Sequence, residues 1–189
     1  MNQNCRLMDY HHLDGLADES LDGVYTLETF VHATDPERAL AELFGGMKPG
    51  CSIALFEYDY PDVDLKEFPA DFVKHMEQNN TRATMPSNAI FTKGTLQRML
   101  EDRGFQDVVV KDLSENVKPM MCLFFLVAFI PYIIISFLGL RAWFVNTRAG
   151  VEGYHVLKRG LWRFVEVLAK KPLHRHFTQD AVRERRTAE

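Results

Sequence analysis

Residues 22–50 narrow the choice of folds more than any other stretch of this chain. Residues 23–27 are β-rich and largely apolar, as a buried parallel strand requires. Glu28 and His32 follow the end of that strand. Asp35, Pro36 and Glu37 then open a helix: Asp35 can cap it, Pro36 fits the first turn, and Glu37 suits the positive end of the dipole. Ala39, Leu40, Leu43 and Phe44 give the helix one apolar face, and Lys48, Pro49 and Gly50 turn the chain into another strand. A strand, a polar loop, a helix and a second strand make a right-handed crossover, which implies an α/β sheet. In open sheets of this kind ligands bind beyond the carboxyl ends of the strands, where Glu28 and His32 lie.

The remaining elements follow from pattern. Residues 5–10 are a short strand candidate ending in Asp9 and Tyr10, and residues 11–14 form the loop after it. Residues 52–58 are an apolar strand with Glu57 and Tyr58 at its end. Beyond Pro61 the pattern loosens before a helix at 69–77. Residues 92–104 read as a helix with Leu96, Met99 and Leu100 on one face and Gly104 past its end. Strands follow at 106–113 and 162–169. The expected organisation is an α/β domain at 1–118, an apolar helical insertion at 119–160 acting as a lid or at a membrane, the last strand of the same domain at 161–172, and a polar tail at 173–189.

Residues 119–140 carry no formal charge, and Lys118 and Arg141 bracket them. At about 1.5 Å per residue a helix of this length could cross a bilayer. One crossing would put strands 106–113 and 162–169 on opposite sides, where they could not pair. Two short helices broken at Pro131, covering an apolar pocket or dipping into one leaflet, avoid the conflict. Core packing and a true span are the alternatives.

A formal charge of −4 and the lack of a basic, aromatic-interleaved stripe argue against a nucleic-acid partner. Cys5, Cys51 and Cys122 are odd in number and unpaired in spacing, and residues 1–6 lack a signal-peptide core, so the expected location is cytoplasmic, with membrane association through the apolar run. His11-His12 and His174-x-His176 lack further ligands nearby, and no metal is expected. Glu28 and His32, four residues apart, could form a carboxylate-supported general base or lie in a solvated loop.

The segment Val24-Tyr25-Thr26-Leu27-Glu28-Thr29-Phe30-Val31-His32-Ala33, followed by Met47-Lys48-Pro49-Gly50, resembles the patterns V-Y-x-I-E-A-x-x-H-A and L-K-P-G-G of class I methyltransferases that use S-adenosylmethionine. It is most similar to sterol side-chain and related lipid methyltransferases. Residues 96–110 resemble the helix, G-F turn and strand near the end of that fold, and residues 162–172 resemble its last strand and exit. The resemblance implies a partial Rossmann-like sheet, strands three to seven of the family order 3-2-1-4-5-7-6, with the apolar helical insertion before the last strand. It implies that Asp9, Tyr10 and Leu27 contact the cofactor and that Glu28 and His32 are catalytic. Glu57, Tyr58 and Tyr60 would line the acceptor. The implied activity is methyl transfer to a hydrophobic small molecule such as a sterol, lipid or terpenoid.

Two departures qualify the expectation. Cys51 replaces the second glycine of the K-P-G-G turn, and nothing matches the glycine-rich G-x-G loop or the acid that binds the cofactor ribose. The chain therefore reads as N-terminally truncated, with weak or absent cofactor binding on its own. The strand at 23–27 would have an open edge for a partner subunit or a second copy. A pseudo-methyltransferase that binds a hydrophobic ligand or a partner subunit, and a small membrane protein with one span, are the competing readings.

Overall fold

The computed structural model describes residues 6–61 and 70–173. Cys5, the loosened segment at 62–69 and the tail from 174, with His174 and His176, lie outside the described residues. The crossover forms as expected. Strand β1 (Val24–Leu27) leads through a 3₁₀ turn at Phe30–His32 into helix α1 (Pro36–Gly46), and β2 (Ser52–Asp59) pairs parallel to β1. Asp35 caps α1, its Oδ1 accepting from the Arg38 N–H at 2.9 Å, and Pro36 occupies the first turn. Helix α2 (Ala70–Arg82) runs five residues past the expected end at 77. Helix α3 (Thr95–Arg103) is set between Gly94 and Gly104, both at positive φ, which only glycine adopts without strain.

Strand β3 (Gln106–Asp112), helix α4 (Ser114–Phe137), helix α5 (Val145–Lys158) and strand β4 (Arg163–Lys170) complete the described chain. The sheet order is β1-β2-β4-β3, with β4 antiparallel to both neighbours. This is the 4-5-7-6 half of the order implied by the resemblance. The α/β class is as expected, but a third-strand equivalent does not form. Residues 6–8 are irregular, and Asp9 pairs only with His12 across a tight turn. A strand needs a ladder partner, and among the described residues none lies beside this segment.

Alternation divides the sheet between two apolar layers. Ile53 and Leu55 of β2 and Val165, Val167 and Ala169 of β4 face α1 and α3, packing with Leu40, Phe44, Leu96 and Leu100. Tyr58 and Phe164 turn the other way, joining Trp162, Leu157 and Met121 beneath the α4/α5 pair. Glu57 and Tyr58 therefore project to opposite faces, which is what a period of two requires.

The apolar run forms one helix, and the expectation of two short helices broken at Pro131 is corrected. Pro131 lies inside α4 and withdraws a single N–H from the ladder, at about 3 kcal/mol in an unsupported helix. Contacts along α5 hold the helix through that position, and Gly150 and Gly153 permit close approach: a Cβ at Gly150 would meet Ala128 Cβ at 3.0 Å. The hairpin is the α4/α5 pair, turning at residues 138–144. Because β3 and β4 pair directly, both flanks of the hairpin leave on one side, and a single membrane crossing is excluded.

Arg148 anchors α5 to α2. It is 1% exposed, and its guanidinium donates to Gln78 Oε1 at 2.6 Å and Asn79 Oδ1 at 2.5 Å. Arg148→Ala should strip these part-buried acceptors of their donor and leave a cavity where the buried side chain stood, destabilising the protein by about 2 kcal/mol. Urea unfolding followed by circular dichroism measures the loss, and an unchanged midpoint would show that the anchor carries no stability.

Candidate functional site

Beyond the carboxyl ends of β1 and β2 lies a cavity of about 330 Å³. Val31, Met76, Met121, Val156 and Trp162 supply apolar walls, and Glu28, His32, Tyr58 and Tyr60 supply polar groups from the sheet side. Four of the residues singled out from sequence thus share one cavity.

The loop after β1 holds Glu28 and His32 in place. Glu28 adopts a left-handed backbone at φ 51° while its N–H donates to the Phe56 carbonyl at 2.9 Å. That conformation is uncommon for a non-glycine residue and tends to mark functional sites. Burial foremost, with the Glu28 carboxylate beside it, raises the Tyr58 pKa and keeps the phenol protonated. Burial also pushes Tyr60 up to about 12, and its oxygen accepts from Asn88 Nδ2 at 2.8 Å. Both tyrosines present neutral hydroxyls at physiological pH.

His32 Nδ1 lies 2.7 Å from the Thr84 carbonyl oxygen. A carbonyl can only accept, so Nδ1 carries the hydrogen, and the neutral ring keeps a lone pair on Nε2. The segment after α2 is itself bonded to this loop. Ser87 Oγ donates to the Ala33 carbonyl at 2.5 Å, and the Ser87 N–H donates to the Val31 carbonyl at 3.1 Å.

Glu57 does not line the cavity. Its carboxylate turns under the loop, and Oε1 accepts from Phe30 N–H at 2.8 Å, Thr29 N–H at 3.2 Å and Thr26 Oγ1 at 3.3 Å, while Oε2 has no protein partner. The N–H donors favour the anion, but burial outweighs them and raises the pKa to about 7. The strand alternation described above explains the placement: a residue beside Tyr58 cannot share its face.

Asp9, Tyr10 and Leu27 gather near the same loop. The Tyr10 hydroxyl donates to the Thr29 carbonyl at 3.4 Å, and Leu27 is 58% exposed at the end of β1. Asp9 Oδ1 accepts from the His11 N–H at 2.9 Å and sits 2.7 Å from His11 Nδ1, contacts that lower its pKa and keep it ionised. None of the three lines the cavity at the strand ends.

Sequence reasoning missed the wall contributed by α2 and α5. His75 Nδ1 lies 2.9 Å from Glu152 Oε2, Tyr132 donates to Glu152 Oε1 at 3.3 Å, and His75, Glu152, Asn79 and Asn88 all line the cavity. The available signal was Arg148 and Glu152, a charged pair at i,i+4 inside an otherwise uncharged stretch.

Residues 2–55 match the family described as Methyltransferase domain. Among curated proteins, the chain is 32% identical over 166 residues to the S-adenosyl-L-methionine-dependent Diels-Alderase iccD of Talaromyces variabilis, covering 87% of this chain and 56% of that protein. It is 28% identical over 109 residues to the O-methyltransferase cnsE of Penicillium expansum, covering 57% of this chain and 36% of the relative. The chain thus spans about half or less of the length of these relatives. Among solved structures, the [4+2]-cyclase SpnF superposes with a TM-score of 0.62 at 18% identity, covering 89% of this chain and 56% of that one. Geranyl diphosphate C-methyltransferase of Streptomyces coelicolor A3(2) superposes with a TM-score of 0.60 at 14% identity, covering 88% of this chain and 52% of that one. The fold is that of the class I S-adenosylmethionine-dependent methyltransferases.

Glu57 gives this site a measurable pH dependence. The folded protein keeps its proton to about pH 7, whereas the unfolded chain releases it near an ordinary 4.5. Raising the pH through that window therefore removes stability, by roughly 3 kcal/mol at most. Glu57→Gln, which cannot ionise, should escape this loss, so the wild type should weaken relative to the variant as the pH rises. Urea unfolding at a series of pH values tests it, and parallel stability profiles for the two proteins would refute it.

Proposed function

We propose that this chain forms the acceptor side of an S-adenosylmethionine-dependent enzyme that methylates a hydrophobic small molecule bearing a hydroxyl or comparable nucleophile. The observation that carries the reading is the convergence of Glu28, His32, Tyr58 and Tyr60 on one mainly apolar cavity at the strand ends. The sterol, lipid or terpenoid class is favoured by the apolar walls.

Asp9, Tyr10 and Leu27 would hold the adenosine side of the cofactor, which supplies an electrophilic methyl group when bound. His32, with Nδ1 committed to Thr84, offers Nε2 to take the acceptor's proton. Tyr60, whose oxygen accepts from Asn88, keeps its O–H free to orient the substrate oxygen as a neutral donor, while the Tyr58 phenol stands beside the Glu28 carboxylate. The free edge of β1, where Tyr25 is 79% exposed, is where the remaining strands of a complete sheet would join, in the same polypeptide or from a partner subunit. On this reading the 189-residue chain alone binds cofactor weakly.

A second reading, cyclisation of a bound polyene without methyl transfer, is supported by the 32% identity to a Diels-Alderase. Product mass separates the two, because cyclisation yields an isomer of the substrate and methylation does not.

The test uses this chain alone and fused behind the amino-terminal part of the Penicillium expansum relative. Calorimetry should find tight S-adenosylmethionine binding only in the fusion. A panel of apolar phenols, terpenols and polyenes, assayed with radiolabelled methyl donor, should give labelled product. His32→Ala should lower kcat by about 100-fold or more with little change in KM. Tight binding by the chain alone would overturn the shared-site reading. Isomerised, unlabelled product would favour cyclisation. Full activity in His32→Ala would remove His32 as the base.

A further inference from the structure

We infer that the outer face of α4 seats the protein on an anionic lipid leaflet, with the helix lying in the plane of the membrane and never crossing it.

One side of α4 packs on α5 and, near its start, on the sheet; the outer side is exposed. Leu123, Leu126, Val127, Ile130, Ile134 and Phe137 are all exposed, Ile130 at 69%. At about 100° per residue, the exposed apolar positions of α4 spread over roughly 220° of its circumference, about twice the stripe a surface helix turns towards a protein core. Scattered exposed leucines are ordinary, but a continuous apolar helix surface of this breadth marks an interaction site.

Three features choose a bilayer as the occupant. The first is breadth: a second α4 would cover one seam, whereas acyl chains surround the whole arc. The second is charge. Lys118 and Arg141 bracket the uncharged run, and Lys158 and Arg159 are exposed where α5 returns to the sheet. A parallel second α4 would set Arg141 against Arg141, whereas anionic headgroups complement Arg141, Lys158 and Arg159. The third is the turn of the hairpin. Trp143 is exposed with Arg82 5.1 Å over its ring, and Arg141 lies 5.8 Å over Tyr132. Aromatic rings paired with basic heads suit the headgroup level, where long side chains can reach water.

The hairpin topology fixes the docking mode. The pairing of β3 with β4 returns both flanks to the same side, and α5 carries Asn146, Arg148, Glu152 and His155. The hairpin therefore rests on the leaflet by one face. Met121 and Val156 of the same hairpin line the cavity, which sits about one helix diameter, ~10 Å, from the seated surface.

Flotation of this chain with vesicles of phosphatidylcholine, with and without phosphatidylserine, tests the inference. The chain should float with the mixed vesicles, more weakly with phosphatidylcholine alone, and binding should fall as salt rises. The double variant Leu126→Glu, Ile130→Glu should lose vesicle binding by tenfold or more while keeping its thermal midpoint, since both side chains are exposed. A second double variant, Leu123→Ser with Ile134→Ser, should float less than the wild type and guards against misfolding of the first. Trypsin should reach sites on both sides of α4 in the vesicle-bound protein. Failure of the wild type to float, a discrete dimer that excludes vesicles, or trypsin protection of everything beyond Arg141 would each overturn the inference.

Discussion

The Glu57 carboxylate is the contact on which the site depends. One oxygen gathers the Thr29 and Phe30 N–H groups and the Thr26 hydroxyl, tying the end of β1 and its loop to β2. With that oxygen in place, Phe30 and Val31 turn into the core, Phe30 stacking on Phe91 at 5.9 Å, while Glu28 is held in a left-handed backbone and His32 comes to the cavity. A carboxylate buried this way is costly, and the cost is visible in its raised pKa. The Phe30 N–H it satisfies would otherwise be buried without a partner, which is the compensating gain.

A second polar anchor lies on the other face of the sheet. The layer of α4 and α5 is largely apolar, and apolar helices can slide against one another at little energetic cost. Arg148 restricts that freedom for α5, because two arms of its guanidinium bond Gln78 and Asn79 of α2. Glu152, one turn on, extends the same network to His75 and into the cavity wall. The cavity is thus fixed by two buried polar clusters, one under the β1 loop and one between helices, with apolar side chains filling the space between.

Much of the fold was legible locally. The crossover at 22–50, the α3 helix ending at Gly104 and the strands at 106–113 and 162–169 all form within one to three residues of their sequence boundaries, because each carries its own pattern, cap or turn. The site was legible in part. Glu28, His32, Tyr58 and Tyr60 meet because a strand end and its following loop are local features. His75 and Glu152 were not legible, since their pairing joins helices far apart in sequence. The break expected at Pro131 did not occur, since the packing of α5 along α4 outweighs the loss of one N–H bond. The strand expected at 5–10 did not form over its described residues, because a strand is defined by its neighbour.

By itself the sequence determined the α/β class, the parallel crossover and the position of the polar loop after β1, since those follow from the period of two, the period of 3.6 and the chemistry of turns. It also determined that an uncharged run bracketed by Lys118 and Arg141 must be exposed, inserted or covered. Only the tertiary structure decided that Glu57 supports the loop rather than facing the cavity, that Arg148 locks the hairpin, and that α4 is one helix with its outer face bare. Each of these is a relation between elements distant in the chain, and such relations are settled by which buried polar groups find partners and which apolar faces find cover, quantities that exist only once the chain has folded.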